Sequence, residues 1–128
     1  MELKVFFRDD GSSPFMDWFN DLDPAAAGRV TTAQIRLAAG NLSNVKWFSG
    51  IGEFRINWGP GYRIYLAQDG DELVILYVGG TKKSQQVDID QALVFHQEYE
   101  LQKQSARESQ QEFKSGSTQP KRFKKRKK

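Results

Sequence analysis

The chain has no cysteine and a single histidine, His96. Without thiols there is no disulfide framework and no thiolate metal site, which fits a reducing cytoplasm, the compartment expected here. Long apolar runs are missing too, and nothing approaches the ~20 apolar residues that a membrane-spanning helix needs. The opening residues Glu2, Lys4, Arg8, Asp9 and Asp10 put charges where a secretory leader needs an apolar core, so export is not expected. The acids of 69–72 fall in a turn and read as solvated, so neither a metal site nor a cofactor is expected.

What is present is one domain's worth of chain, 128 residues, with a modest core. Its net charge of +3 is unevenly spread. Residues 114–128 hold eight Lys/Arg and no acid, which leaves 11 bases against 16 acids elsewhere, a net of −5. Bulk charge therefore gives the globular part no affinity for nucleic acid, and any such function must rest on a local cluster.

Leu3, Val5 and Phe7 alternate with Lys4, Phe6 and Arg8, which predicts a short strand. Ser12 or Ser13 ahead of Pro14 starts a helix over 14–22, with Phe15, Trp18, Phe19 and Leu22 at helical spacing. Asp23-Pro24 starts a second helix, Ala25 to Ala39, which Gly40-Asn41 stops. Four strand-like segments follow: Val45 to Phe48, Glu53 to Trp58, Tyr62 to Ala67 and Leu73 to Val78. Asp69-Gly70 is a hairpin signal, and Leu73 to Val78 is apolar on both faces, as a covered central strand must be. A third helix is expected from Val87, turning polar towards Phe113. The order predicts an α+β domain: an N-terminal strand and helical hairpin, then an antiparallel sheet with helices on one face, then a C-terminal helix. The domain is expected over 1–97, a polar helical extension over 98–113, and a disordered basic tail over 114–128.

Alternation also assigns side chains to faces. Phe54, Ile56 and Trp58 share one face with Tyr62, Ile64 and Leu66, which sends Arg55, Arg63 and Tyr65 to the other. Two guanidiniums beside a phenol can grip phosphates and support a stacked base. The same pattern fits a solvated sheet face on which Arg55 pairs with Glu53. After the central strand, Gly79-Gly80-Thr81-Lys82-Lys83-Ser84-Gln85 offers two lysines, a hydroxyl and an amide at a strand end. It fits a phosphate-binding loop, and equally a helix entry capped by Ser84.

Gly40-Asn41, Val45-Lys46, Gly50-x-Gly52-Glu53-x-Arg55-Ile56, Gly59-Pro60-Gly61-Tyr62-Arg63-Ile64-Tyr65, Gly79-Gly80-x-Lys82 and Gln85-x-x-Asp88-Ile89 together resemble the RelE/ParE superfamily of toxins. The HigB-like branch, the addiction module killer proteins, is the most similar. The resemblance covers about residues 13 to 95. It implies a RelE-like fold and the toxin of a toxin–antitoxin pair, whose partner is a small helix-turn-helix antitoxin. Its implied activity is metal-independent cleavage of messenger RNA on the ribosome, by attack of a ribose 2′-hydroxyl on the adjacent phosphate. Carried over by motif, Arg63 would hold the scissile phosphate, and Arg55 lies near a family basic position. Lys82 matches the lysine of Gly-Gly-Asp-Lys, with Thr81 in place of the aspartate and Lys83 where Ser or Thr is usual. Lys46 matches the lysine of Val-Lys; with Lys83 and Gln85 it would form an RNA-binding rim. Such cleavage needs a base, an acid and positive charge at the phosphorus. His96, between Phe95 and Tyr99 in the third helix, reads as structural, which leaves Tyr65 or a lysine as base. Two other functions fit the same resemblance: a ParE-like poison of DNA gyrase without enzymatic activity, and an inactive phage-derived binding domain. The basic tail suits either ribosomal RNA attachment or a solvated extension.

Overall fold

The computed structural model describes residues 1–117, and side chains as far as residue 110. Met1–Gln97 form one compact unit, and a second begins at Glu98. Strand β1 (Glu2–Val5) leads to two helices whose starts are set locally. Ser13 is extended, and its Oγ accepts the Met16 N–H at 3.3 Å ahead of α1 (Pro14–Asn20). Asp23 does the same at 2.8 Å to the Ala26 N–H, ahead of α2 (Pro24–Ala38). Each cap satisfies an amide that the first turn leaves orphaned, and proline removes another. Helix α2 ends where Gly40 turns left-handed at φ +85°. That turn lets the N–H groups of Gly40 and Asn41 reach back to the carbonyls of Leu37 and Arg36, each at 3.0 Å.

Four strands follow, β2 (Val45–Phe48), β3 (Ile51–Ile56), β4 (Tyr62–Asp69) and β5 (Leu73–Thr81). A 3-10 turn (Lys82–Ser84) then enters α3 (Gln85–Ser117). The third helix thus starts two residues before the expected Val87 and continues through 114–117, where the sequence suggests disordered tail. The rest of that tail, 118–128, lies outside the described residues. No helix among the described residues is long and apolar enough to cross a membrane.

The five strands form one sheet in the order β1-β5-β4-β3-β2. Strands β2 to β5 are an antiparallel meander, as expected, but β1 lies parallel to β5, with Glu2 opposite Leu73 and Val5 opposite Leu76. The sheet is therefore mixed and not wholly antiparallel. The reason is topological: two helices return the chain to the end of the sheet where β1 finished. Strand β2 then starts opposite to β1, and three reversals bring β5 into line with β1. Strand β5, flanked by β1 and β4 and buried from Val74 to Gly80, is a covered interior strand as its composition requires, although the middle place in the sheet is taken by β4.

Helices cover both faces, not one. On the first, Phe15, Val30, Ala33 and Leu37 of α1 and α2 pack with Ile64, Leu66, Val74 and Leu76. On the second, the Phe6 ring meets that of Phe95 at 5.8 Å and that of Tyr77 at 5.4 Å. The Tyr77 hydroxyl bonds His96 Nδ1 at 2.7 Å, so the histidine is held in packing. Gly79 and Gly80 make the double covering possible. A Cβ on Gly79 would overlap the Trp18 ring of α1, and one on Gly80 would overlap the Asp88 carboxyl of α3. Successive residues of a strand face opposite ways, so two adjacent glycines admit a helix on each side.

Candidate nucleic-acid interface

Two rows of side chains cross the face that α3 covers. Sheet register sets Lys46 opposite Glu53 and Glu53 opposite Tyr65; one step on, Arg55 is opposite Arg63 and Arg63 opposite Gly80. Arg55, Arg63 and Tyr65 thus share a face, as alternation requires. That face is not the open side of a hairpin, however. Tyr65 is fully buried and Arg63 almost so, because the start of α3 lies over them; only Arg55, with half its side chain exposed, reaches solvent.

At the centre is Glu53, which the sequence offered as a partner for Arg55 but not as a site residue. The Glu53 carboxylate is buried and accepts three hydrogen bonds: from Arg55 Nε at 2.8 Å, from the Tyr65 hydroxyl at 2.9 Å and from Gln85 Nε2 at 2.8 Å. Arg63 Nε lies 3.6 Å away, within ion-pair range but without a hydrogen bond, while Nη1 donates to the Gly61 carbonyl at 2.9 Å. A buried charge is tolerated when paired and hydrogen-bonded, and Glu53 is both. Sequence did carry a signal for it, a lone acid in an interior strand on the same face as two arginines.

The Gly61 carbonyl also accepts the Lys82 N–H at 2.9 Å, which ties the 3-10 turn to the β3–β4 loop and sets Lys82 beside Arg63. Lys46, Lys82 and Lys83 are exposed. The expected residues therefore separate by role. Arg55, Lys46, Lys82 and Lys83 form a cationic rim; Arg63, Tyr65 and Gln85 are bound into the scaffold around Glu53. Ser84 donates from Oγ to Asp88 Oδ2 at 2.5 Å and takes the Thr81 N–H at 3.3 Å.

Protonation follows from these contacts. Burial pushes the Glu53 carboxyl up, but the hydrogen bonds from Arg55, Gln85 and Tyr65 outweigh it and hold it below its usual range. Burial, then the bond to Glu53, pushes the Tyr65 hydroxyl well above its usual value. The charged form of Glu53 and the protonated form of Tyr65 are thus the favoured ones. Asp88 is raised by burial, which outweighs the Ser84 hydrogen bond. The rim is cationic and exposed, and the centre is held by hydrogen bonds. Among the described residues, no three His, Asp or Glu side chains gather into a metal-binding group.

No family model matches the chain. A protein of Haemophilus influenzae described as uncharacterized is 42% identical over 89 residues, covering 68% of this chain and 90% of that protein. The chain belongs to the same family as that Haemophilus protein.

Proposed function

We propose that the protein is the toxin of a bacterial toxin–antitoxin pair, acts in the cytoplasm and inhibits translation by cleaving messenger RNA, with a helix-turn-helix antitoxin as partner. The observation that carries this reading is the convergence of Arg55, Arg63 and Lys82 at one end of one sheet face, with Lys46 beside them. Cations on a rigid scaffold stabilise charge that develops on a phosphate at little reorganisation cost. The RelE-like motifs of the sequence supply the reaction class. Arg55 and Lys82 hold the phosphate, Lys46 and Lys83 extend the track, and Arg63 positions Lys82 through the Gly61 carbonyl. With Tyr65 sequestered, proton transfer falls to the rim, Lys82 first.

The test is induced expression in a bacterium, with and without the neighbouring open reading frame, followed by sequencing of transcript ends. Discrete cuts, lost in Arg55→Ala/Lys82→Ala but present in a stably folded Lys4→Ala control, support the reading. Intact transcripts alongside stalled gyrase support the ParE-like alternative. One observation favours that second reading: both Glu53 and Tyr65 are locked by hydrogen bonds, and a gyrase poison needs no proton acceptor.

A further inference from the structure

A cleft beside the end of β3 shares only Arg55 with the site above. It lies between α2 and the end of β3, with a volume of about 690 Å³. That is within the size range of sites that hold small ligands. Arg29, Arg36 and Arg55 line it, together with Asn44, Asn57 and Trp58, and no lining residue is an acid. Arg29 and Arg36 thus stand in a lining with no acid, in a chain whose first 113 residues carry a net −5.

The cleft has an orienting element. Trp58 stacks on Tyr62 at 6.1 Å, and the Arg29 guanidinium sits 5.1 Å from the Trp58 ring. The ring stack holds the guanidinium at the cleft wall, which lowers the entropy lost when it grips an anion. Arg36 follows two helical turns later, about 10 Å along α2.

Two features of the backbone leave the cleft open. Gly28 stands inside α2, where glycine costs about 1 kcal/mol relative to alanine. Its Cβ would meet nothing within 4 Å, so packing does not require the glycine. Strand β2 begins at Val45, opposite Phe54, so among the described residues no strand pairs with Arg55 and Ile56 on that edge. Arg55 is common to both sites: its Nε is bonded to Glu53 on the rim side, and the residue is also among those that line the cleft.

We propose that this cleft is a second subsite for single-stranded RNA, in which Arg29, Arg36 and Arg55 hold the phosphates of nucleotides adjoining those on the rim. The inference rests on the RNA reading above and extends it by giving the strand a path: across the rim, round the open edge of β3 at Arg55, and into the cleft. The Asn44 and Asn57 amides can meet base edges there.

The experiment measures binding by the full-length protein of a labelled single-stranded RNA made uncleavable by 2′-O-methylation, at 50 and 200 mM salt. Arg29→Ala/Arg36→Ala should weaken binding at least tenfold at the lower salt. It should also reduce the slope of log K against log salt by about 0.7 for each phosphate no longer neutralised. Gly28→Gln, which fills the cleft without changing charge, should weaken binding too; thermal melts confirm that both variants fold. If both bind like the wild type while Lys82→Ala weakens binding, the cleft is not an RNA subsite and the rim reading stands. If the wild type binds no RNA, the reading and the subsite fall together. Capture of a poly-glutamate peptide in place of RNA, abolished in Arg29→Ala/Arg36→Ala, would overturn the proposal in favour of an acidic protein partner.

Discussion

Glu53→Ala is the sharpest test of the scaffold. The substitution removes the acceptor of three hydrogen bonds and leaves Arg63, whose side chain is 7% exposed, without its counter-charge. Breaking a buried pair from one side costs about 3–5 kcal/mol, mostly as the penalty of the charge left behind. A domain of this kind has only about 5–15 kcal/mol in all. With a urea slope near 2 kcal/mol per molar, the midpoint should fall by about 1.5–2.5 M. Glu53→Gln keeps the shape and one carbonyl acceptor and should lose less. Replacing both partners, Glu53→Met with Arg63→Met, should recover most of the stability. The carboxyl titrates below its usual 4.5 in the folded state, so its stabilisation is complete above that value and is lost as pH falls through the folded value. The gap between wild type and Glu53→Gln should therefore close in acid. A Glu53→Ala midpoint within about 0.5 M of wild type, about 1 kcal/mol by the same slope, would mean that Arg63 is hydrated and that Glu53 organises nothing.

Three further outcomes follow from the same contacts. Gly80→Ala drives a methyl into the Asp88 carboxyl and should cost about 1–3 kcal/mol or more; an unchanged melting temperature would mean that α3 is not seated on β5. Asp88→Asn should be more stable than wild type at pH 7, because folding raises the Asp88 carboxyl and so disfavours its charged form. That gain should shrink as pH falls towards 3.8, where the acid protonates in both states, and denaturation across the pH range reads it directly. Arg55→Ala and Lys82→Ala should each lower RNA affinity and its salt dependence while melting normally. Arg63→Ala should instead destabilise the fold by about 2–3 kcal/mol, and equal melting of all three would erase the division between rim and scaffold.

What the sequence revealed and what it hid divide by range. Both helix starts were readable because Ser13-Pro14 and Asp23-Pro24 act within one turn. The common face of Arg55, Arg63 and Tyr65 was readable because alternation is a property of the strand itself. The pairing of β1 with β5 joins residues about seventy positions apart, and no local pattern encodes it. The burial of Arg63 and Tyr65 was hidden for the same reason, since Gln85 reaches Glu53 across 32 positions and brings α3 over the sheet. Glu53 was visible as a partner for Arg55, but its other contacts come from elsewhere in the chain.

The parallel seam between the first strand and the fifth has a consequence for biosynthesis. Residues 2–5 leave the ribosome well before their hydrogen-bonding partners at 73–76, which are made some seventy residues later. Pairings so distant along the chain form slowly, because the intervening loop must close first. Until then the outer edge of the sheet has nothing to lie against, and the glycine pair that seats both helices has not been translated. A nascent chain of this protein thus has no finished sheet until β5 has emerged, and any activity that needs the complete sheet begins only then.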